Sequence, residues 1–302
     1  MIIRDRPTLL QLFFILRGSV VLRVFPQILV TVALSAAVVW LHETRPGLLP
    51  VFNSAPFALF GIALSIFLGF RNNACYDRWW EARRHWGELL AASRDLDRQT
   101  LILADETVRK RLLTLAMAFA QSMVPHLRLD SDEEKALRWL TAADRGACAA
   151  SRNRPHTILR LMSADLAAAQ RGGLLGEIPH QTLERTVATL EMVLASCERL
   201  RSTPIPFGYT LLLHRTAYLF CFLLPFGFAN LLDWATPLAT ALVAYTFFGL
   251  DELGDQLEEP FGTRDNDLPI GALADQIELG LREALGETDL PPPPAPVNYV
   301  LM

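Results

Sequence analysis

The chain has 302 residues, 51% of them hydrophobic, with a formal net charge of −4. No basic stripe runs unopposed by acids, which argues against nucleic acid as a partner. The four cysteines, Cys75, Cys148, Cys197 and Cys221, form no CxxC pair, so neither a disulfide frame nor a zinc site is expected. The N-terminus has no short apolar core followed by a small-residue cleavage site, and no removable signal peptide is read.

The apolar residues gather in four blocks with the charges between them, the pattern of an integral membrane protein. A span needs about 20 mostly apolar residues to cross a hydrocarbon core about 30 Å thick. Val24 to Leu41 carries no charge, and neither does Val51 to Phe70, which stops abruptly at Arg71. Residues 71–203 read as water-exposed helices. Ala74 to Arg98 continues the second span, with Trp79, Trp80 and Trp86 among its charges. Thr107 to His126, Ser131 to Ala143 and Pro155 to Gln170 follow, and Gly172–Gly173 breaks the chain. From Thr182 to Leu200 the apolar positions Leu183, Val187, Leu190, Leu194 and Cys197 alternate spacings of four and three, the seam of a helix packed along another. Thr216 to Leu232 and Trp234 to Leu250 are the third and fourth spans; the third can extend back through Pro204 if His214 and Arg215 are included. An acidic stretch, Asp251 to Glu259, precedes a Pro260–Phe261–Gly262 turn, a helix over Ile270 to Leu285 and a proline-rich tail, Pro291 to Pro296, expected to be extended or disordered.

Basic residues near span ends orient the chain. Arg4, Arg6, Arg17 and Arg23 precede span one, and Arg71, Arg78, Arg83 and Arg84 follow span two. The opposite links hold only Arg45 and no base at all. Both termini and the middle segment are therefore expected in the cytoplasm, in a multi-pass membrane protein. The expected division is residues 1–70 (N-terminal segment and spans one and two), 71–203 (cytoplasmic helical domain), 204–256 (spans three and four) and 257–302 (cytoplasmic segment with the tail).

Catalytic chemistry has little support. There is no HExxH, GxSxG or phosphate-binding glycine loop, and no two histidines have metal-ligand spacing. No cofactor or metal is expected. His85 reads as a solvated or interfacial residue, and the acids from Asp251 to Glu259 as a solvated helix face. Asp265 and Asp267 flank a turn in which Arg264 argues against a strong metal site. His214 with Arg215 stands at a span end, where charge is costly and often functional; snorkelling explains it equally well.

Span two is the most informative element. On a helix, Ala58, Gly61, Ser65 and Gly69 share one arc, and Leu59, Ile62, Ile66 and Phe70 the next; Leu64 points to the opposite side. The small arc admits a close neighbour. The large arc faces lipid or, in a ring of copies, makes an apolar constriction. One subunit has no polar pathway, so a conducting path would have to form between subunits.

The run FLGFRNNACYDRWWEARRHWGELL (Phe67 to Leu90) resembles the bacterial branch of the bestrophin family. So do CERLRSTPIPFGYTLLLHRTAYLFC (Cys197 to Cys221), EEPFGTRDNDLP (Glu258 to Pro269) and the N-terminal MIIR. The resemblance implies an all-α membrane protein in which each subunit of a homopentamer supplies four transmembrane helices and a cytoplasmic helical domain around one central pore. By the match to GIALSIFLGFRN, Ile62, Ile66 and Phe70 would line the neck. Ile178 would form a cytoplasmic constriction, and Arg71 would mark the neck's mouth, raising the local anion concentration. Animal members are calcium-activated chloride channels with a dense acidic run after the Pro-Phe-Gly turn. Here Thr263, Arg264, Asp265, Asn266 and Asp267 stand there, and no calcium clasp is expected. The bacterial branch implies passage of small monovalent cations, for which the −4 charge multiplied by five gives a mild reason. The competing readings are a membrane-anchored scaffold without conduction and a membrane enzyme using His214 and the acidic stretch.

Overall fold

The computed structural model describes every residue except 5–6, 46, 49–51 and 129–131, and not the side chains of residues 12 and 13. The described chain is helical and divides into two compact units. One holds Arg4–Trp79 and Pro204–Pro260; the other holds Met1–Ile3, Trp80–Thr203 and Phe261–Met302. Val51, Arg6 and Ser131, used above as a span start, a topology marker and a helix start, lie outside the described residues.

In the first unit, a short helix α1 (Leu9–Phe14) precedes α2 (Val21–Thr44), and α3 begins at Ser54. Helices α9 (Phe207–Leu232) and α10 (Thr236–Glu258) close the unit. Three apolar stretches are long enough to cross a membrane: Val21–Thr44, Ser54–Thr100 and Phe207–Glu258. The third is divided by a single 3-10 turn, Asp233–Ala235, so four helices carry the four expected spans. Each of these runs at least 23 residues, about 35 Å at 1.5 Å per residue. Pro26 and Pro225 lie inside α2 and α9, as spanning helices tolerate.

The spans pack through aromatic rings set against glycines. A Cβ on Gly61 would lie 2.9 Å from the Phe220 ring, and one on Gly227 would lie 2.8 Å from Phe57. Phe220 also meets Phe60 and Phe247 at ring-centroid distances of 5.6 and 5.1 Å. Leu64, Leu68, Leu213, Ala217, Leu224 and Phe248 complete this core.

The second unit holds the C-terminal part of α3 (Ser54–Thr100), α4 (Glu106–Leu127), α5 (Glu134–Leu137), α6 (Ala142–Ala149), α7 (Arg154–Arg171), α8 (Glu177–Ser202) and α11 (Ile270–Ala284). Caps explain the helix starts. Asp105 accepts from the Thr107 amide at 2.8 Å, and Asn153 from that of His156 at 3.1 Å. The single helix expected over Ser131 to Ala143 is instead two. Thr141 and Asp144 form a reciprocal capping box that starts a new helix, α6, beyond the end of α5. All five residues of the α8 seam are buried. The tail carries no helix, and its end folds back. Asn298 and Tyr299 adopt positive φ in a tight turn closed by paired Val297–Val300 hydrogen bonds, and Ile3 donates to the Tyr299 carbonyl at 2.8 Å.

Candidate functional site

The site is built on α3, one continuous helix of 47 residues whose proline, Pro56, sits in the first turn, where no helix hydrogen bond is lost. Its first part has two unlike sides. Leu64 and Leu68 are buried in the core, Leu64 only 4% exposed. Leu59, Ile62, Ile66 and Phe70 lie on the far side, about 180° away on the helix, and all are exposed, Ile66 at 51%. The chain therefore buries one side of α3 in its own core and leaves the other exposed. Gly61, from the small arc, meets Phe220 of α9. Ile178, in the first turn of α8, is 79% exposed.

Arg71 ends the apolar run, and here the structure corrects the sequence reading. Its side chain is fully buried. Nη1 donates to the Asp251 carboxylate at 2.8 Å and to the Asp251 carbonyl at 3.3 Å. Nη2 pairs with Asp255, and the Glu258 carboxylate lies 3.7 Å away. A buried guanidinium requires such partners, because unpaired it would face a desolvation penalty of several kcal/mol, on the order of the cost of burying any bare ion. The positive charge is matched within the subunit and is not a bare charge at a mouth.

The same geometry corrects the acidic stretch. Asp251, Asp255 and Glu258 are spaced four and three apart, so they share the side of α10 that meets Arg71. Asp251 is buried; Glu259 does reach solvent. Asp251 also binds His214, whose Nδ1 lies 2.6 Å from Oδ2 and whose ring rests on Tyr218 with centroids 4.4 Å apart. Arg215 points outward. Gly254 makes the approach possible: a Cβ there would lie 2.6 Å from Asn72 Oδ1 and 3.2 Å from Arg71 Nη1. Asn72 in turn donates to the Leu250 carbonyl at 3.0 Å, and Arg78 to that of Glu258 at 3.2 Å. Sequence reasoning missed this cluster. The signal was the spacing of the three acids together with a lone arginine at the end of an uncharged span.

In the second unit, His85 lies between Glu88 at 2.8 Å and Glu81 at 3.6 Å. Asp267 is buried and accepts from the Arg264 amide at 2.7 Å; burial pushes its carboxyl above the usual range. Arg128 donates to the Phe261 and Leu268 carbonyls at 2.9 and 2.8 Å. Among the described residues, no three His, Cys, Asp or Glu side chains group as metal ligands would.

The model of the bacterial and fungal bestrophin proteins matches residues 1–283. The chain belongs to the bestrophin family. A solved bacterial bestrophin homologue from Klebsiella pneumoniae superposes with a TM-score of 0.84 at 37% identity, covering 87% of this chain and 99% of that one. In sequence, the chain is 46% identical over 288 residues to the voltage-dependent anion channel-forming protein mll4386 of Mesorhizobium japonicum, covering 95% of this bestrophin and 93% of the relative. It is 39% identical over 292 residues to the voltage-dependent anion channel-forming protein YneE of Escherichia coli K12, covering 96% of each.

Proposed function

We propose that this bestrophin forms a homopentameric ion channel in a bacterial inner membrane, with both termini cytoplasmic, passing small monovalent ions through a neck lined by Ile62, Ile66 and Phe70. The observation that carries the reading is the division of α3: one side buried in its own subunit, the other a row of large apolar side chains left exposed along the axis. Five copies would stack three apolar rings. A narrow apolar ring offers an ion no substitute for its hydration shell and so raises a barrier. Ile178, exposed at the start of α8, would form a second, cytoplasmic constriction. The names of the relatives support channel formation.

The apolar rings do not choose the sign of the ion. The −4 charge per chain, repeated five times, favours cations, whereas the relatives are named for anions. Because carboxylates surround Arg71, it supplies no bare positive ring. A reversal potential under a gradient of one salt decides between them.

The test is current from purified protein in planar bilayers. Ile66→Ala should widen and wet the neck and raise conductance or open probability while leaving oligomer yield unchanged. Leu242→Ala, at another exposed apolar position, on α10, should behave as wild type. Equal changes at both positions would mean the Ile66 row faces lipid. Silence of a well-assembled wild type would favour the scaffold reading. Leu64→Ala, on the opposite side of α3, is not the silent control its position in the sequence suggests, because Leu64 is core.

A further inference from the structure

We infer that the second unit carries a binding site for a small organic anion, in the cavity walled by α4, α5, α7 and the segment between α6 and α7. The cavity measures about 390 Å³. Protein interiors rarely leave voids larger than a water molecule, and recesses of about 300 Å³ and above are typical of ligand pockets. This one combines buried apolar side chains with charged ones. Ala136, Leu140, Pro155 and Ile158 line the floor and are buried. Arg152, Arg154 and Arg201 stand at the rim and, among the described residues, Glu133 is the one lining carboxylate.

The disposition of those charges favours an anion. Glu133 is engaged by Arg154. Arg201 is held at the cavity by the His126 carbonyl, a neutral acceptor, and makes no ion pair among the described residues. Arg152 is exposed and makes no ion pair among the described residues. His126, also in the wall, turns its Nε2 to Glu198 at 2.7 Å. Arg154 and Pro155 form the first turn of α7, whose 18 residues place the positive end of a helix dipole at the rim. Two guanidinium groups that pair with no carboxylate among the described residues, above buried apolar side chains, fit a planar carboxylate attached to an aromatic or aliphatic body. Guanidinium groups bind carboxylates in two-point fashion, and the floor takes the apolar body. The inference concerns the second unit alone and does not depend on conduction.

The probe is 1-naphthoate, titrated calorimetrically into the full-length protein in detergent, with neutral 1-naphthamide as its match. Naphthoate should bind at least tenfold more tightly than the amide, and Arg152→Glu should weaken naphthoate at least tenfold without shifting the thermal midpoint of the unliganded protein. Arg152→Lys should keep most of the affinity. If Arg152→Glu assembles poorly, Leu137→Trp, at a half-buried wall position, serves instead: filling the cavity should abolish binding of both compounds. Equal affinity for acid and amide, no binding by either, or naphthoate binding unchanged in both Arg152→Glu and Leu137→Trp would overturn the inference. Competition by inorganic phosphate as strong as by naphthoate would also overturn it, because the apolar body would then contribute nothing.

Discussion

The two units of this bestrophin handle charge in opposite ways. In the unit of the spans, ionic partners are concentrated where α3 and α10 leave the apolar run, around one fully buried arginine, and the remaining packing is apolar, with rings set against glycines. In the second unit, ion pairs are dispersed and partly exposed: Arg111 with Asp144 and Asp165, Arg109 with Asp97, Lys135 with Asp275. The seam of α8 is buried in the same unit. A membrane leaves few places where charge can be hydrated, so charge there is gathered and mutually satisfied. A unit whose pairs keep at least one partner in reach of water can scatter them, because exposed pairs are each worth little.

The first way to break this contrast is Arg71→Ala. It leaves Asp251 buried without its cation, and losing one partner of a buried pair costs about 3–5 kcal/mol. Oligomer yield in detergent should collapse. Arg71→Glu should do the same, whereas a well-assembled Arg71→Glu channel with altered selectivity would restore the mouth reading. Next comes Leu64→Ala beside Ile66→Ala. The first empties a core position, at about 2–5 kcal/mol, and the second should leave the thermal midpoint nearly unmoved, which sharpens the division between the two sides of α3. Third, Gly227→Ala places a methyl against Phe57, and overpacking of this kind costs about 1–3 kcal/mol; an unchanged melting curve would show that Phe57 is free to swing away.

The smallest effect belongs to the dispersed pairs. The Arg111 guanidinium, bonded at 2.5 and 3.0 Å, holds the Asp144 carboxyl below its usual range. A depressed carboxylate stabilises the fold above the pKa it has when unfolded, and that stability is lost as pH falls through the lower, folded value. Wild type should therefore lose slightly more stability than Asp144→Asn as the buffer is taken below about pH 4. Parallel pH profiles for the two proteins would show that Arg111 contributes nothing there.

Much of the fold was legible because its signals are local. Twenty residues without charge ending at Arg71, and a four-three alternation from Leu183 to Cys197, need no knowledge of what lies elsewhere in the chain. The break at Thr141 was also local but was masked by helix-forming neighbours; a threonine followed three residues later by an acid is a start signal that the periodicity overrode. The Arg71 cluster was less accessible. Arg71 and Asp251 are 180 positions apart, and an acidic run at a span end looks alike whether it meets water or a buried arginine. The exposed row on α3 was visible as a stripe, but the stripe alone does not say which side its own subunit buries.

The rings set against glycines in the first unit have a consequence for register. Phe57 fills the gap at Gly227 while Phe220 fills the gap at Gly61, so each helix supplies one knob and one notch to the other. Sliding α9 along α3 by a single turn, about 5.4 Å, would drive both rings out of their notches together. Two such interlocks fix the offset as a key fixes a lock, without any hydrogen bond. In a solvent of hydrocarbon, where apolar contact with lipid competes on nearly equal terms with apolar contact between helices, shape of this kind can select one alignment when greasiness cannot.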